Sequence, residues 1–109
     1  MKVALAADGT EVAAHFGRCE RYVVAELDGG AVTREESMAN PGHEPGRLPR
    51  MLNELGVDTI VAGGMGPRAW AIFEQFGIAV IIGVSGPVAE ALRQLATGDL
   101  KPGESTCEH

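Results

Sequence analysis

From Leu48 to Gly98 the chain alternates between two periods, and glycines punctuate the changes. Leu48, Met51, Leu52 and Leu55 recur at i, i+3, i+4 and i+7, the spacing of one helical face, and the stripe stops at Gly56. Residues 57–62 then read as a strand. Gly63-Gly64-Met65-Gly66-Pro67 turns the chain into a second helix, with Pro67 at the first helical position, where an N–H would have no helical partner in any case. The expected core face of this helix is Ala69, Ile72, Phe73 and Phe76, with Trp70 at its border and Gly77 as its cap. Ile78-Ala79-Val80-Ile81-Ile82 is apolar on both faces, as a doubly covered strand is. A third helix follows from Pro87 with Ser85 as its expected cap, shows Val88, Ala91, Leu92 and Leu95 on one side, and ends near Gly98. Strand and helix repeated in this way require parallel pairing with right-handed crossovers.

The first half has a different grammar. Val3-Ala4-Leu5-Ala6-Ala7 is a short apolar run closed by Asp8-Gly9, a buried strand entering a turn. Residues 22–27 and 31–35 flank Asp28-Gly29-Gly30 and read as an antiparallel hairpin. Residues 38–49 contain two Pro-Gly-rich stretches and read as an irregular loop. The element order is βββαβαβα, which predicts an α/β domain over residues 1–99. Its mixed five-stranded sheet has three parallel strands and the hairpin at one edge, and residues 100–109 are an extended tail. With 109 residues, there is room for one such domain. Ligands of sheets of this kind bind beyond the carboxyl ends of the parallel strands. Those ends lead here into residues 8–19, 63–68 and 83–87.

Composition narrows the partners. The apolar run at residues 78–82 is far short of the roughly 20 residues of a membrane helix, and residues 1–7 meet Asp8 too soon for a secretory signal. The expectation is a cytoplasmic protein without membrane contact. Nine basic against fifteen acidic residues gives a net charge of −6, with no run of basic residues in the sequence, which argues against nucleic acid.

Two cysteines and three histidines make up the soft-ligand inventory: His15, Cys19, His43, Cys107 and His109. His15-Phe16-Gly17-Arg18-Cys19 sets two soft donors four residues apart, with a cation between them and a glycine that lets the backbone approach a ligand. The same segment also reads as a surface loop in which Phe16 plugs the core and Cys19 is a small buried filler. Gly63, Gly64 and Gly66, followed by Arg68, suit an anion at a strand-to-helix turn, but match neither a nucleotide P-loop nor the dinucleotide pattern. Glycines needed only for a tight turn are the competing reading. Cys107 and His109 could chelate one ion only with help from His15, Cys19 or His43, and otherwise belong to an acidic tail. His43 equally fits a solvated loop residue. A Cys19–His15 nucleophile pair lacks an orienting acid or amide, so the residues argue for binding rather than turnover.

Asp8, His15-Phe16-Gly17 with Arg18-Cys19, Asn40-Pro41, Gly63-Gly64-Met65-Gly66, Phe76-Gly77-Ile78 and Gly98-x-Leu100 together resemble the dinitrogenase iron-molybdenum cofactor family, the group of NifX, NafY and the C-terminal part of NifB. The resemblance spans nearly the whole chain. It implies a ribonuclease-H-like three-layer α/β/α fold and a non-catalytic carrier or chaperone for a Mo-Fe-S or Fe-S cluster. It further implies that His15 is the cluster-binding histidine, with Arg18 or Cys19 near it, and that the partners are cluster donor and acceptor proteins. The alternative is a regulatory or protein-interaction domain that keeps the fold without the metal.

Overall fold

Alternation along the first strand builds both cores at once. The structure, a computed structural model, describes residues 1–42 and 46–100. Strand β1 (Lys2–Asp8) is the middle of the sheet. Its Val3, Leu5 and Ala7 point to one face and its Ala4 and Ala6 to the other, because successive side chains of a strand point to opposite sides. After β1 come β2 (Glu11–Val12), β3 (Arg21–Asp28), β4 (Ala31–Ala39), α1 (Arg47–Glu54), β5 (Thr59–Val61), α2 (Pro67–Gln75), β6 (Ala79–Ile81) and α3 (Val88–Thr97).

Among the described residues the sheet has six strands, in the order β4-β3-β1-β5-β6, with β2 paired to β1 off this path. The β1, β5 and β6 strands are parallel, in the register Leu5↔Val61↔Ile81, and β3 and β4 extend the β1 edge antiparallel. On one face Leu48 and Leu52 of α1 and Phe73 of α2 pack over Ala4, Ala6, Tyr22 and Ile60. On the other, Val88, Ala91, Leu92 and Leu95 of α3 pack over Val3, Leu5, Val23 and Ile81. This is the three-layer α/β/α arrangement with the hairpin at one edge, and because α1, α2 and α3 each follow a strand that runs in the direction of β1, every helix starts at the carboxyl end of the parallel strands.

The differences from the sequence reading have local causes. The sixth strand is β2, whose two residues are too few to show a period. Strand β4 runs to Ala39 because it pairs β3 along its full length, Arg21 opposite Ala39, so the irregular segment begins only at Asn40. Pro49 lies inside α1, in the first turn, where its missing N–H breaks no helical bond. Leu55 and Phe76, assigned to apolar faces, are 45% and 37% exposed. Each is the C-cap of its helix, where the chain swings off the core. Pro87, not Ser85, is the N-cap of α3, and no side chain bonds there.

Candidate functional site

Where β1 ends, the chain makes a loop whose shape is held by main-chain atoms. Ala13 N–H donates to the Ala6 carbonyl at 2.8 Å, and Gly63 N–H to the Ala13 carbonyl at 2.8 Å. Phe16 N–H then donates to the Gly64 carbonyl at 2.9 Å. Residues 13–16 thus lie against the turn that follows β5. The contact is so close that a Cβ on Gly63 would fall 2.8 Å from Ala14 Cα and 3.0 Å from the Ala13 and Ala14 carbonyl oxygens. Glycine at 63 is therefore demanded by loop packing, whereas Gly66 has nothing within 4 Å.

Phe16 anchors the loop from below, its ring 5.6 Å from that of Tyr22 and 5.2 Å from that of Phe73. Gly17 has φ 92°, a conformation that favours glycine. Both of its main-chain polar groups are held: its N–H donates to Tyr22 Oη at 3.2 Å, and its carbonyl accepts from Asn40 Nδ2 at 3.1 Å. Asn40 Nδ2 also donates to the Cys19 carbonyl at 2.8 Å, and its Oδ1 accepts from Gly42 N–H at 3.0 Å. The fully buried Tyr22 keeps its proton, since burial and the neighbouring Cys19 thiol push the phenol well above its ordinary range. At the loop's outer end Asp8 accepts from Glu20 N–H at 2.7 Å and Glu20 accepts from Gly9 N–H at 3.1 Å, so these carboxylates are occupied in fixing the turn.

This scaffold leaves His15 and Arg18 exposed. With Phe16, Gly64, Met65 and Gly66 they line an open cavity of about 370 Å³. On the other side of Phe16 lies a second, more apolar cavity of about 300 Å³, walled chiefly by Phe16, Tyr22, Leu48, Pro49, Ala69 and Ile72, with Arg68 and four glycines, Gly17 and Gly66 among them. The structure thus brings His15, Phe16, Arg18, Gly64 and Gly66 together, assigns Gly17 and Arg68 to the adjoining cavity, and uses Gly63 as a packing element. Cys19 is 5% exposed and belongs to the core beneath the loop, lining neither cavity. His43, Cys107 and His109 lie outside the described residues.

Sequence reasoning missed Tyr22 and Asn40 as loop supports and Met65 as part of the wall. Asn40 before Pro41 signals only a turn, and Tyr22 in an apolar strand signals only burial. Among the described residues no three His, Cys, Asp or Glu side chains gather as a metal-ion site. What the cavity offers is one imidazole, one guanidinium, the Met65 thioether and the wall of a glycine-rich turn. Such a set suits a large, soft anion better than a lone cation.

Comparison with known proteins agrees with the fold. The sequence model of the family described as "Dinitrogenase iron-molybdenum cofactor" matches residues 1–98. The uncharacterized protein MJ0580 of Methanocaldococcus jannaschii is 29% identical over 106 residues, covering 93% of this chain and 90% of its own length. The crystal structure of PH0822 superposes with a TM-score of 0.85 at 31% identity, covering 95% of this chain and 96% of that one. The apo form of the orange protein from Desulfovibrio gigas superposes with a TM-score of 0.76 at 23% identity, over 98% and 96% of the two chains, a likeness of fold.

Proposed function

Since this chain belongs to the dinitrogenase iron-molybdenum cofactor family, we propose that it carries an anionic metal-sulfide cluster, of Mo-Fe-S or Fe-S type, as cargo in the cavity between His15, Arg18 and the turn at residues 64–66. The observation that carries this reading is the pairing of an exposed imidazole with an exposed guanidinium over one cavity of about 370 Å³. Neutral imidazole is a good donor to iron, and a guanidinium forms charge-assisted hydrogen bonds to sulfide or oxo anions. The cavity holds no thiolate among the described residues, only the His15 imidazole and the weakly donating Met65 thioether, so the cluster is held mainly by charge and shape. A cargo held in that way can be released, which suits a carrier rather than an enzyme with a resident centre. The cargo's donor and acceptor are other proteins.

The test is anaerobic loading with tetrathiomolybdate and, separately, with iron and sulfide, followed by gel filtration, visible absorption and elemental analysis. The wild-type chain should retain metal and colour. His15→Ala and Arg18→Ala should each lower retention by roughly tenfold or more, the scale of one lost charge-assisted bond or ligand. A wild-type chain that emerges colourless and metal-free from both loadings would overturn the carrier reading and leave an interaction domain without metal.

A further inference from the structure

The arginines divide by location. Among the described residues Arg34 pairs with Glu36, Arg93 with Glu90, and Arg21 donates to Ser37 Oγ and the Gly9 carbonyl. The side chains of Arg18, Arg47, Arg50 and Arg68 have no described hydrogen-bond or ion-pair partner, and all four residues are exposed. These four meet at one end of the molecule. Arg18 follows β1 and β2, Arg47 and Arg50 occupy the first turn of α1, and Arg68 is the second residue of α2. Both helices start at the carboxyl end of the parallel strands and pack on the same face of the sheet.

That placement works against stability. The start of a helix carries partial positive charge, so acidic side chains belong there and cations are disfavoured. Neither α1 nor α2 has an acidic residue in its first turn. A chain with six more negative than positive charges nevertheless puts at those two sites three cations that no described side chain pairs. Arg18 and Arg68 border the two cavities, but Arg47 and Arg50 line neither. Leu48, Pro49 and Leu52 take the buried side of α1, which leaves Arg47 and Arg50 facing solvent beside the cavities.

We propose that Arg47, Arg50 and Arg68, continued by Arg18, form a docking rim for the acidic surface of another protein, the one that gives or receives the cargo. The partner's role rests on the carrier reading; the rim rests on charge alone. A protein surface fits better than nucleic acid, because four cations grouped at one end of the molecule do not make a track for successive phosphates, and the rest of the molecule repels a long polyanion. Steering by opposite charge would bring the partner over the cavity mouth rather than elsewhere on the chain.

The probe is a synthetic glutamate-rich peptide titrated into the full chain at low and at physiological salt. Binding should appear at low salt and weaken steeply with ionic strength. The double variant Arg47→Glu/Arg50→Glu should lose roughly tenfold or more in affinity, whereas Arg34→Glu, on the hairpin, should stay within about twofold. The double variant should also keep or raise the thermal midpoint, since it places acids where the helix start favours them. A loss of binding accompanied by a falling midpoint would mark the arginines as structural and overturn the rim. So would absent peptide binding at low salt, an equal loss in Arg34→Glu, or tighter binding of a single-stranded oligonucleotide of equal charge. Uptake of tetrathiomolybdate and, separately, of iron with sulfide is measured in parallel. Peptide binding without uptake removes the carrier reading and keeps the rim, and uptake without peptide binding does the reverse.

Discussion

Gly63 and Gly66 stand three residues apart in one turn and carry opposite expectations. Gly63→Ala drives a methyl into the backbone of residues 13 and 14, so either the turn or the loop must move. We expect a loss of about 1–3 kcal/mol by urea denaturation, the range of overpacking, with cargo retention falling alongside. Gly66→Ala meets open space at an ordinary φ of −70°, and should change stability by less than about 0.5 kcal/mol. Tyr22 gives a pH prediction with a definite sign. Its folded phenol is shifted above the unfolded value of 10.0 by burial first and Cys19 second. The protonated form is therefore favoured by folding. This stabilisation is complete below about pH 10 and is lost as the pH rises above that, because the unfolded chain then gives up the proton while the folded one holds it. As Tyr22 is the chain's one tyrosine, near-ultraviolet phenolate absorption should appear only as the protein unfolds. Tyr22→Phe should flatten the alkaline loss, and by removing the acceptor of Gly17 N–H should speed amide exchange there.

The helices and parallel strands were legible from sequence because each follows a period that a core imposes. α3 is the clearest case: Val88, Ala91, Leu92 and Leu95 all prove buried. Leu92→Ala should cost about 2–5 kcal/mol in chemical denaturation, the range for truncating a core leucine. Cargo retention at fixed folded fraction should be unchanged, since α3 packs on the face away from α1 and α2. Periodicity misleads at element ends. Leu55 and Phe76 continue their stripes by spacing, yet a stripe says nothing about where the helix leaves the core. Periodicity is silent on β2, which exists through two pairs with β1 rather than through any preference of its own two residues. It is silent too on the second half of β4: the hairpin turn marks residues 31–35 as a strand, and residues 36–39 continue it because β3 offers them a ladder.

At the scale of the whole molecule, both cores lie against the sheet while the exposed groups of the mouth stand at its carboxyl end. His15 and Arg18 are exposed and their side chains have no described partner, so replacing either with alanine should leave stability within about 0.5 kcal/mol while lowering metal retention. Differential scanning calorimetry beside elemental analysis would separate the two effects. The order of strands and helices already sets the histidine loop beside the glycine turn at residues 63–68, both at the carboxyl end of the parallel strands. It could not show the hydrogen bonds by which the two touch, that Asn40 and Tyr22 hold the loop, or that arginines at 18, 47, 50 and 68 share one end, since those relations come from tertiary structure. The loop's anchorage carries one last implication. It is pinned through the amide or carbonyl of Ala13, Phe16, Gly17 and Cys19 and through the ring of Phe16, so the identities of residues 15 and 18 are nearly irrelevant to whether the chain folds. The segment behaves as an interchangeable cassette. Selectivity for a different cargo could be rewritten at those two positions by selection or in a combinatorial library, with the framework indifferent to the outcome.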